Sequence, residues 1–294
     1  MRRVVDLSFH FLIVILGLFL LSGVGSLLAY DTQLVITIGY YFNQLYESIS
    51  EVMDPSSLSL GLADGGRQYP LIEAFQHTYG YSFTILISSF LIAVLFSGLM
   101  SYCIMFMPQR GYRYTMKMLN VLDALPEVFI VVSFQILIIW LYKKTDILFF
   151  NIYAFNDERS YVLPIICLSI LPIVYLVKQF LFQLKEEESK PYVEFSYAKG
   201  FRKAYTMWVH LFRNVWIHFF LHLKPIFLLM LSNLFVIEIL FNINGFMMLL
   251  FQASTTSGAA FFLGMMMIFV PFFLVFHIGA IVLEKWLKGG KDYV

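Results

Sequence analysis

Lys190 to Trp216 reads KPYVEFSYAKGFRKAYTMWVHLFRNVW and carries five Lys and Arg residues. It lies between two apolar stretches, roughly 161–184 and 217–241. The whole chain of 294 residues is 60% hydrophobic and 13% charged, about half the charged share of a soluble domain. So few charges cannot cover a water-facing exterior, and the bilayer is the expected solvent. The quoted stretch is then an aqueous loop joining two membrane spans, and the fold is an all-α membrane protein.

A hydrocarbon core of about 30 Å takes about 20 apolar residues per helix. Six stretches meet this, at roughly 9–29, 81–107, 118–141, 161–184, 217–241 and 261–285, within one transmembrane domain over 1–294. The first follows Arg2 and Arg3 and resembles a signal peptide with a cleavage point near Ser26–Ala29. Its apolar run exceeds the roughly 7–15 residues of a signal-peptide core, and an uncleaved span is expected. Basic residues set the orientation. Arg2, Arg3, Arg110, Arg113, Lys117, the eight between Lys178 and Lys224, and Lys285, Lys288 and Lys291 fall on one side. Only Arg67, Lys143, Lys144 and Arg159 fall on the other, so both termini are expected in the cytoplasm. A net charge of +1 gives no reason to expect nucleic acid. Cys103 and Cys167 sit in apolar runs and read as small buried hydrophobes.

The outer loop 30–80 contains MDPSSLSLGLADGG, which reads as turns, and a short helix is expected around 40–52. Its carboxylates are Asp31, Glu47, Glu51, Asp54, Asp64 and Glu73. The uncharged loop 242–260 holds ASTTSGAA and is expected to dip into the helix bundle. In the long cytoplasmic loop 185–215, Ser189 reads as a helix N-cap, with Pro191 in the first turn and Glu194 after it. Nothing breaks a helix from Tyr192 to Ala198, and Gly200 supplies a corner. A second helical stretch, Tyr205 to Trp216, leads into the fifth span. From composition alone this could be an interfacial helix anchored on lipid headgroups.

The order of residues resembles a family pattern. Tyr192, Val193, Glu194, Phe195, Ser196, Tyr197, Ala198, Lys199 and Gly200 are similar to the Tyr-Val-x-x-Ala-x-Ala-Lys-Gly run of the oligopeptide/dipeptide/nickel permeases of ABC importers. His210, Leu211, Phe212, Arg213 and Asn214 resemble the His-x-x-Arg-Asn that follows it, in the form found in the first of two paired subunits. Leu122-Asp123-Ala124-Leu125-Pro126 is similar to the family's Leu-Asp-x-x-Pro, and Glu238, Phe241 and Gly245 to its Glu-x-x-Phe-x-x-x-Gly. The chain departs from the pattern at Ser196, where alanine is usual, and at Gly245-Phe246-Met247, where Gly-x-Gly is usual. It also lacks the Gly-Asp-Pro after the first span, the proline after Arg-Asn and the Arg-Asp pair of the last outer loop.

The resemblance implies an ABC type I importer permease, with residues 191–204 as a coupling helix that docks on a separate motor. Glu194 would bond at that interface, Ser196 and Ala198 would allow close approach, and Gly200 would turn the chain. Tyr192, Phe195, Tyr197 and Phe201 would grip the motor, while Lys199, Arg202 and Lys203 would face motor acids or anionic lipid. Val193, His210, Arg213 and Asn214 belong to the same coupling set. Asp123, Pro126, Glu238, Phe241 and Gly245 would serve the gate or hinge. Pro126, Pro172, Pro225 and Pro271 are candidate kinks within spans. No basic partner is expected at the depth of Asp123, Glu127 or Glu238.

No G-x-x-x-x-G-K-[ST] phosphate loop is present, so ATP would be bound by two partner ATPase subunits and no cofactor is expected here. A second homologous permease subunit and an extracytoplasmic solute-binding protein complete the implied prokaryotic cell-membrane assembly. Peptide is the family's commonest cargo. The alternatives are a nickel or metal-complex importer and a permease-like subunit with a sensing or assembly role. His218 and His222, four apart, are the one histidine pair a metal could use, and no H-E-x-x-H or G-x-S-x-G suggests an enzyme.

Overall fold

The computed structural model describes residues 2–27, 30–31, 33–34, 38–55, 58–61, 68–147, 150–151 and 159–289. Ala29, Asp64, Arg67 and Lys291 lie outside them, as do the side chains of Arg2, Arg3, Ser26, Asp31, His218, Lys285 and Lys288. The described chain is helical with two small hairpins. In order it forms α1 (Arg2–Ser22), α2 (Val24–Leu27), β1 (Tyr30–Asp31), β2 (Gln33–Leu34) and α3 (Ile38–Met53). Then come β3 (Ser59–Gly61), β4 (Gln68–Pro70), α4 (Leu71–Met105), α5 (Gln109–Asp123), α6 (Glu127–Thr145) and α7 (Val162–Glu188). The last elements are α8 (Pro191–Ala198), α9 (Lys203–Tyr205), a π-helix (Thr206–Phe212), α10 (Arg213–Leu240), α11 (Phe246–Thr256) and α12 (Gly258–Gly289).

Among the described residues, 5 helical segments are long and apolar enough to cross a membrane: Leu71–Met105, Glu127–Thr145, Val162–Glu188, His222–Leu240 and Gly258–Gly279. The expected first span corresponds to α1, whose apolar part, Phe11–Ser22, is shorter. The expected third span, 118–141, is corrected: α5 ends at Asp123 and α6 begins at Glu127. A residue before proline is pushed out of the α region, so Leu125-Pro126 ends one helix and starts another. Pro126 is the N-cap of α6, at φ −60 and ψ 140, and is not a kink inside a span. Pro172, Pro225 and Pro271 do lie inside continuous helices. The second span starts ahead of the expected 81, since α4 begins at Leu71.

The chain divides into two compact units. The first holds residues 1–82 and 244–282. There α2 and α11 approach so closely that a Cβ on Gly25 would clash with the Ser254 carbonyl oxygen. The N-terminus of α11 is capped by the Ser82 hydroxyl, which accepts the Phe246 N–H at 2.7 Å. Phe246 then packs edge-on against Phe75 and Tyr79. The Tyr79 hydroxyl donates to the Met267 carbonyl at 3.2 Å, and the Ser257 hydroxyl donates to Glu51 at 3.2 Å. In the 242–260 segment, α11 buries Phe246, Leu249, Leu250 and Ala253.

The second unit holds residues 83–243 and 283–294, and α7 is its centre. Half of the apolar window of α7 is buried (50%), against 22% for α6. Small residues let the helices close where lipid gives no hydrophobic drive between them. Ser89 and Ser101 of α4 donate to the carbonyls of Ile165 and Val177 in α7 at 3.1 and 3.4 Å. On the other side, fully buried Phe180 of α7 stacks on Phe219 of α10 with ring centroids 3.6 Å apart.

The C-terminus of α10 explains part of the Glu238–Gly245 motif. Asn242 takes the left-handed conformation at φ 52. Its N–H bonds the Ile239 carbonyl at 3.2 Å, and the Ile243 N–H bonds the Glu238 carbonyl at 2.8 Å. These two bonds make a Schellman cap, with asparagine where glycine is more usual. Gln135 of α6 adds a donor to the Leu240 carbonyl at 3.0 Å. Phe241 and Glu238 are buried in this turn, while Gly245 is the N-cap of α11 at φ −97.

Candidate functional site

The stretch from Glu187 to Asn214 folds as a short helix, a sharp corner and the start of α10. Proline has no N–H to lose at the first helical position, so Pro191 begins α8 and Lys190 becomes its N-cap. Ser189, expected as that cap, instead closes α7, its hydroxyl donating to the Glu186 carbonyl at 2.7 Å. The other end of α8 is a second Schellman cap. Gly200 sits at φ +83, its N–H bonds the Tyr197 carbonyl at 2.9 Å, and the Phe201 N–H bonds the Ser196 carbonyl at 3.3 Å. The helix expected over 191–204 is therefore eight residues long.

One face of α8 is locked to the chain behind it. Val193 is fully buried, and Ser196 one turn later is almost so. The Ser196 and Thr206 hydroxyls lie 2.8 Å apart in a buried pair. The serine that departs from the family's alanine thus meets a threonine that can bond it. It faces inward, and so does not provide the close approach to a motor that the resemblance implied. Ala198 is exposed. Ser196→Ala is expected to strand the Thr206 hydroxyl at a cost of about 1–3 kcal/mol. The double variant Ser196→Ala/Thr206→Val should recover most of that loss in a thermal unfolding series. Strict additivity would mean that Thr206 satisfies itself on its own helix backbone.

The ends of α7, α8 and α10 meet on one carboxylate. Glu187 is 5% exposed and accepts from Lys190 Nζ at 2.5 Å, the Tyr192 hydroxyl at 2.7 Å and Asn214 Nδ2 at 3.2 Å. Asn214 Nδ2 also donates to the Tyr192 oxygen at 3.3 Å. Burial, with the bond to Glu187, pushes the Tyr192 phenol up to about 12, so it remains a donor at any working pH. Tyr192 is accordingly half-buried and held inward, not part of an outward grip. Glu187 was absent from the expected set. The signal for it lay in helix periodicity: buried Phe180, Leu184 and Glu187 fall on one stripe of α7.

The outward face is aromatic. Phe195, Tyr197, Phe201, Tyr205 and Trp208 are all exposed, Phe195 at 61% and Trp208 at 65%. Phe201 stacks on Tyr205 at 4.9 Å, and His210 packs edge-on to Tyr205 at 6.0 Å, which stiffens the corner. Glu194 and Arg213 are exposed beside this face. Of the three basic residues, Arg202 is exposed, whereas Lys199 lies over the Phe195 ring at 4.4 Å. Lys203, also exposed, gives one of its N–H donors to the Met105 carbonyl at the end of α4, at 3.0 Å. Between α9 and α10 the helix widens into the seven-residue π segment Thr206–Phe212, a rare form often found at functional positions.

The Leu122–Pro126 motif forms the break between α5 and α6. Asp123 there accepts a 2.7 Å ion pair from Lys178 of α7, so the expectation of no basic partner is corrected for this residue. The two residues are far apart in sequence, and only the packing of α5 on α7 joins them. Of the residues expected to serve a gate or hinge, Asp123 and Pro126 fall at this break, whereas Glu238, Phe241 and Gly245 follow one another through the cap of α10 to the start of α11. Among the described residues no group of three or more His, Cys, Asp or Glu could hold a metal ion. His222 meets Gln179 at 3.2 Å, and the side chain of His218 lies outside the described residues.

A family model described as binding-protein-dependent transport system inner membrane component matches residues 93–289. No curated protein matches the chain. Proteins of that family are membrane permease components of ABC transporters, and they work in importer complexes with ATPase and binding-protein partners. The match runs from within α4 to the end of α12 and takes in the whole α8 corner, and the chain belongs to the binding-protein-dependent transport system inner membrane components.

Proposed function

We propose that this chain is one of two paired permease subunits of an ATP-driven peptide importer, of the oligopeptide/dipeptide/nickel type. Both termini lie in the cytoplasm in this reading, and the α8 corner docks on a partner ATPase. The observation that carries it is the two-sidedness of α8. Its inner face is tied down through Val193, Ser196 and Tyr192, while Phe195, Tyr197 and Phe201 stand exposed on the outer side. A helix held this rigidly can pass a push from a motor to α7 and α10. Exposed aromatics of this kind are typical anchors of protein interfaces. A helix that merely rested on lipid would not need its Tyr192 hydroxyl bonded to a buried carboxylate behind it.

Affinity purification of the complex in mild detergent tests the assembly. Two ATPase chains and a homologous permease should co-purify with this chain, and a lone chain would sink the reading. Within the purified complex, Glu194→Arg reverses the charge at an exposed position in the first turn of α8. It should lower peptide-stimulated ATP hydrolysis on the order of tenfold, as loss of a charged interface contact does, while membrane insertion is kept. Unchanged stimulation would leave α8 as a lipid anchor.

A further inference from the structure

Beside the α8 corner, and separate from its outward face, α7 and α10 border a half-open cavity of about 330 Å³. Gln179, Gln183 and Glu186 line it from one stripe of α7, with Phe182 alongside, and Val215 and His222 face them from α10. Gln183 is only 8% exposed, yet its Oε1 has no hydrogen-bond partner among the described residues. A buried amide end without a partner is rare and calls for one. Gln179 is already engaged by His222 at 3.2 Å.

Charge decides what that partner is. Glu187 and Lys190 also border the cavity, but they neutralise each other at 2.5 Å. Glu186 forms no ion pair among the described residues, so the lining carries one uncompensated negative charge. An amide can rotate to present either end, so Glu186 and not Gln183 sets the sign of the ligand. The remaining walls are apolar. Val215 is buried at the base, and the Phe182 ring, 65% exposed, stands at the rim. An aromatic face attracts a cation, and an apolar base suits an alkyl stem. A planar guanidinium or an ammonium offers several N–H donors to an amide oxygen and a carboxylate together.

We propose that this cavity binds an alkyl guanidinium or alkyl ammonium cation, its head between Gln183 and Glu186 and its stem along Val215 and Phe182. The size fits, since small-molecule sites begin at about 300 Å³. The same head group could be a free solute or an arginine or lysine side chain of a partner subunit. The site does not depend on peptide being the transported cargo.

Agmatine, which carries both head groups on an alkyl chain, is the probe. Its binding is measured by equilibrium dialysis at about 0.15 M salt, where surface attraction is largely screened. The full chain in detergent and the co-purified complex are compared. The chain is expected to bind agmatine saturably, with one site, and neutral butylurea should not compete. Glu186→Gln, at an exposed position that folding tolerates, and Gln183→Leu should each weaken binding by roughly tenfold, as loss of a charge-assisted bond does. Saturable binding by the chain but not by the complex assigns the cation to a partner's side chain, and binding by both assigns a free solute. No saturable binding to the chain, or equal binding by Glu186→Gln and wild type, overturns the proposal.

Discussion

Glu187→Leu is expected to lower the unfolding midpoint more than any other single change in the α8 region, at a cost of about 3 kcal/mol. The carboxylate is the common acceptor for Lys190, Tyr192 and Asn214, so its removal takes that acceptor from three donors at once, and Asn214 keeps only its 3.3 Å bond to the Tyr192 oxygen. They do not count equally. Lys190 is about half exposed (46%) and regains water, so most of the loss falls on the half-buried Tyr192 hydroxyl and Asn214 amide. Glu187→Gln separates the two parts. Its amide oxygen can still accept from Tyr192, while the charge that holds Lys190 is gone, so an intermediate loss is expected. Tyr192→Phe should cost about 1–2 kcal/mol alone and almost nothing in the Glu187→Leu background, a coupling that a double-mutant cycle reads directly. Independent losses would mean that the three helix ends are held by packing and not by this carboxylate. Without Glu187, α8 keeps as inner ties Val193, the Ser196–Thr206 pair and the Tyr192–Asn214 bond, and in the proposed importer substrate-stimulated ATP hydrolysis should fall with stability.

The parts of this site that were legible in sequence rest on rules that act within a few residues. Pro191 at the start of α8 and Gly200 at its end follow from what proline lacks and what glycine allows, and the structure uses both as expected. Ser189 is a favoured cap residue, but proline's stricter demand for the first helical position decides where α8 starts. The same demand acts at Pro126, where an apolar run continuing to 141 hides the break. Other features have no local signature. Asp123 with Lys178, and Ser196 with Thr206, are pairs made by helices or segments that meet only in the fold. The π-helix at Thr206–Phe212 changes the hydrogen-bond period of a stretch whose composition reads as ordinary helix. The family pattern supplied Tyr192 and Asn214 but not the carboxylate that binds them, since Glu187 lies just outside the quoted motif. Its place on the buried stripe of α7 was available, but a run of three glutamates before a loop reads first as a solvated face.

In the proposed importer, Gly200→Pro is expected to abolish substrate-stimulated ATP hydrolysis while the chain still inserts in the membrane. The corner at Gly200 needs φ +83, and proline is fixed near −65°. Proline also deletes the N–H that bonds the Tyr197 carbonyl, so the Schellman cap and the turn into Phe201 are lost together. Gly200→Ala isolates the conformational part. An added Cβ would meet nothing within 4 Å, so the cost comes from holding an L-residue in the left-handed region, roughly 1–2 kcal/mol. That is enough to slow coupling several-fold but not to remove it, and the order wild type, alanine, proline is the signature of a backbone corner. Insertion is spared because the change lies between α7 and α10 and touches neither apolar span. Full stimulation in Gly200→Pro would mean that the direction in which α8 leaves the membrane does not matter to the motor. Loss in the alanine variant as complete as in proline would place a partner atom against Gly200 itself, in the space that is open in the isolated chain.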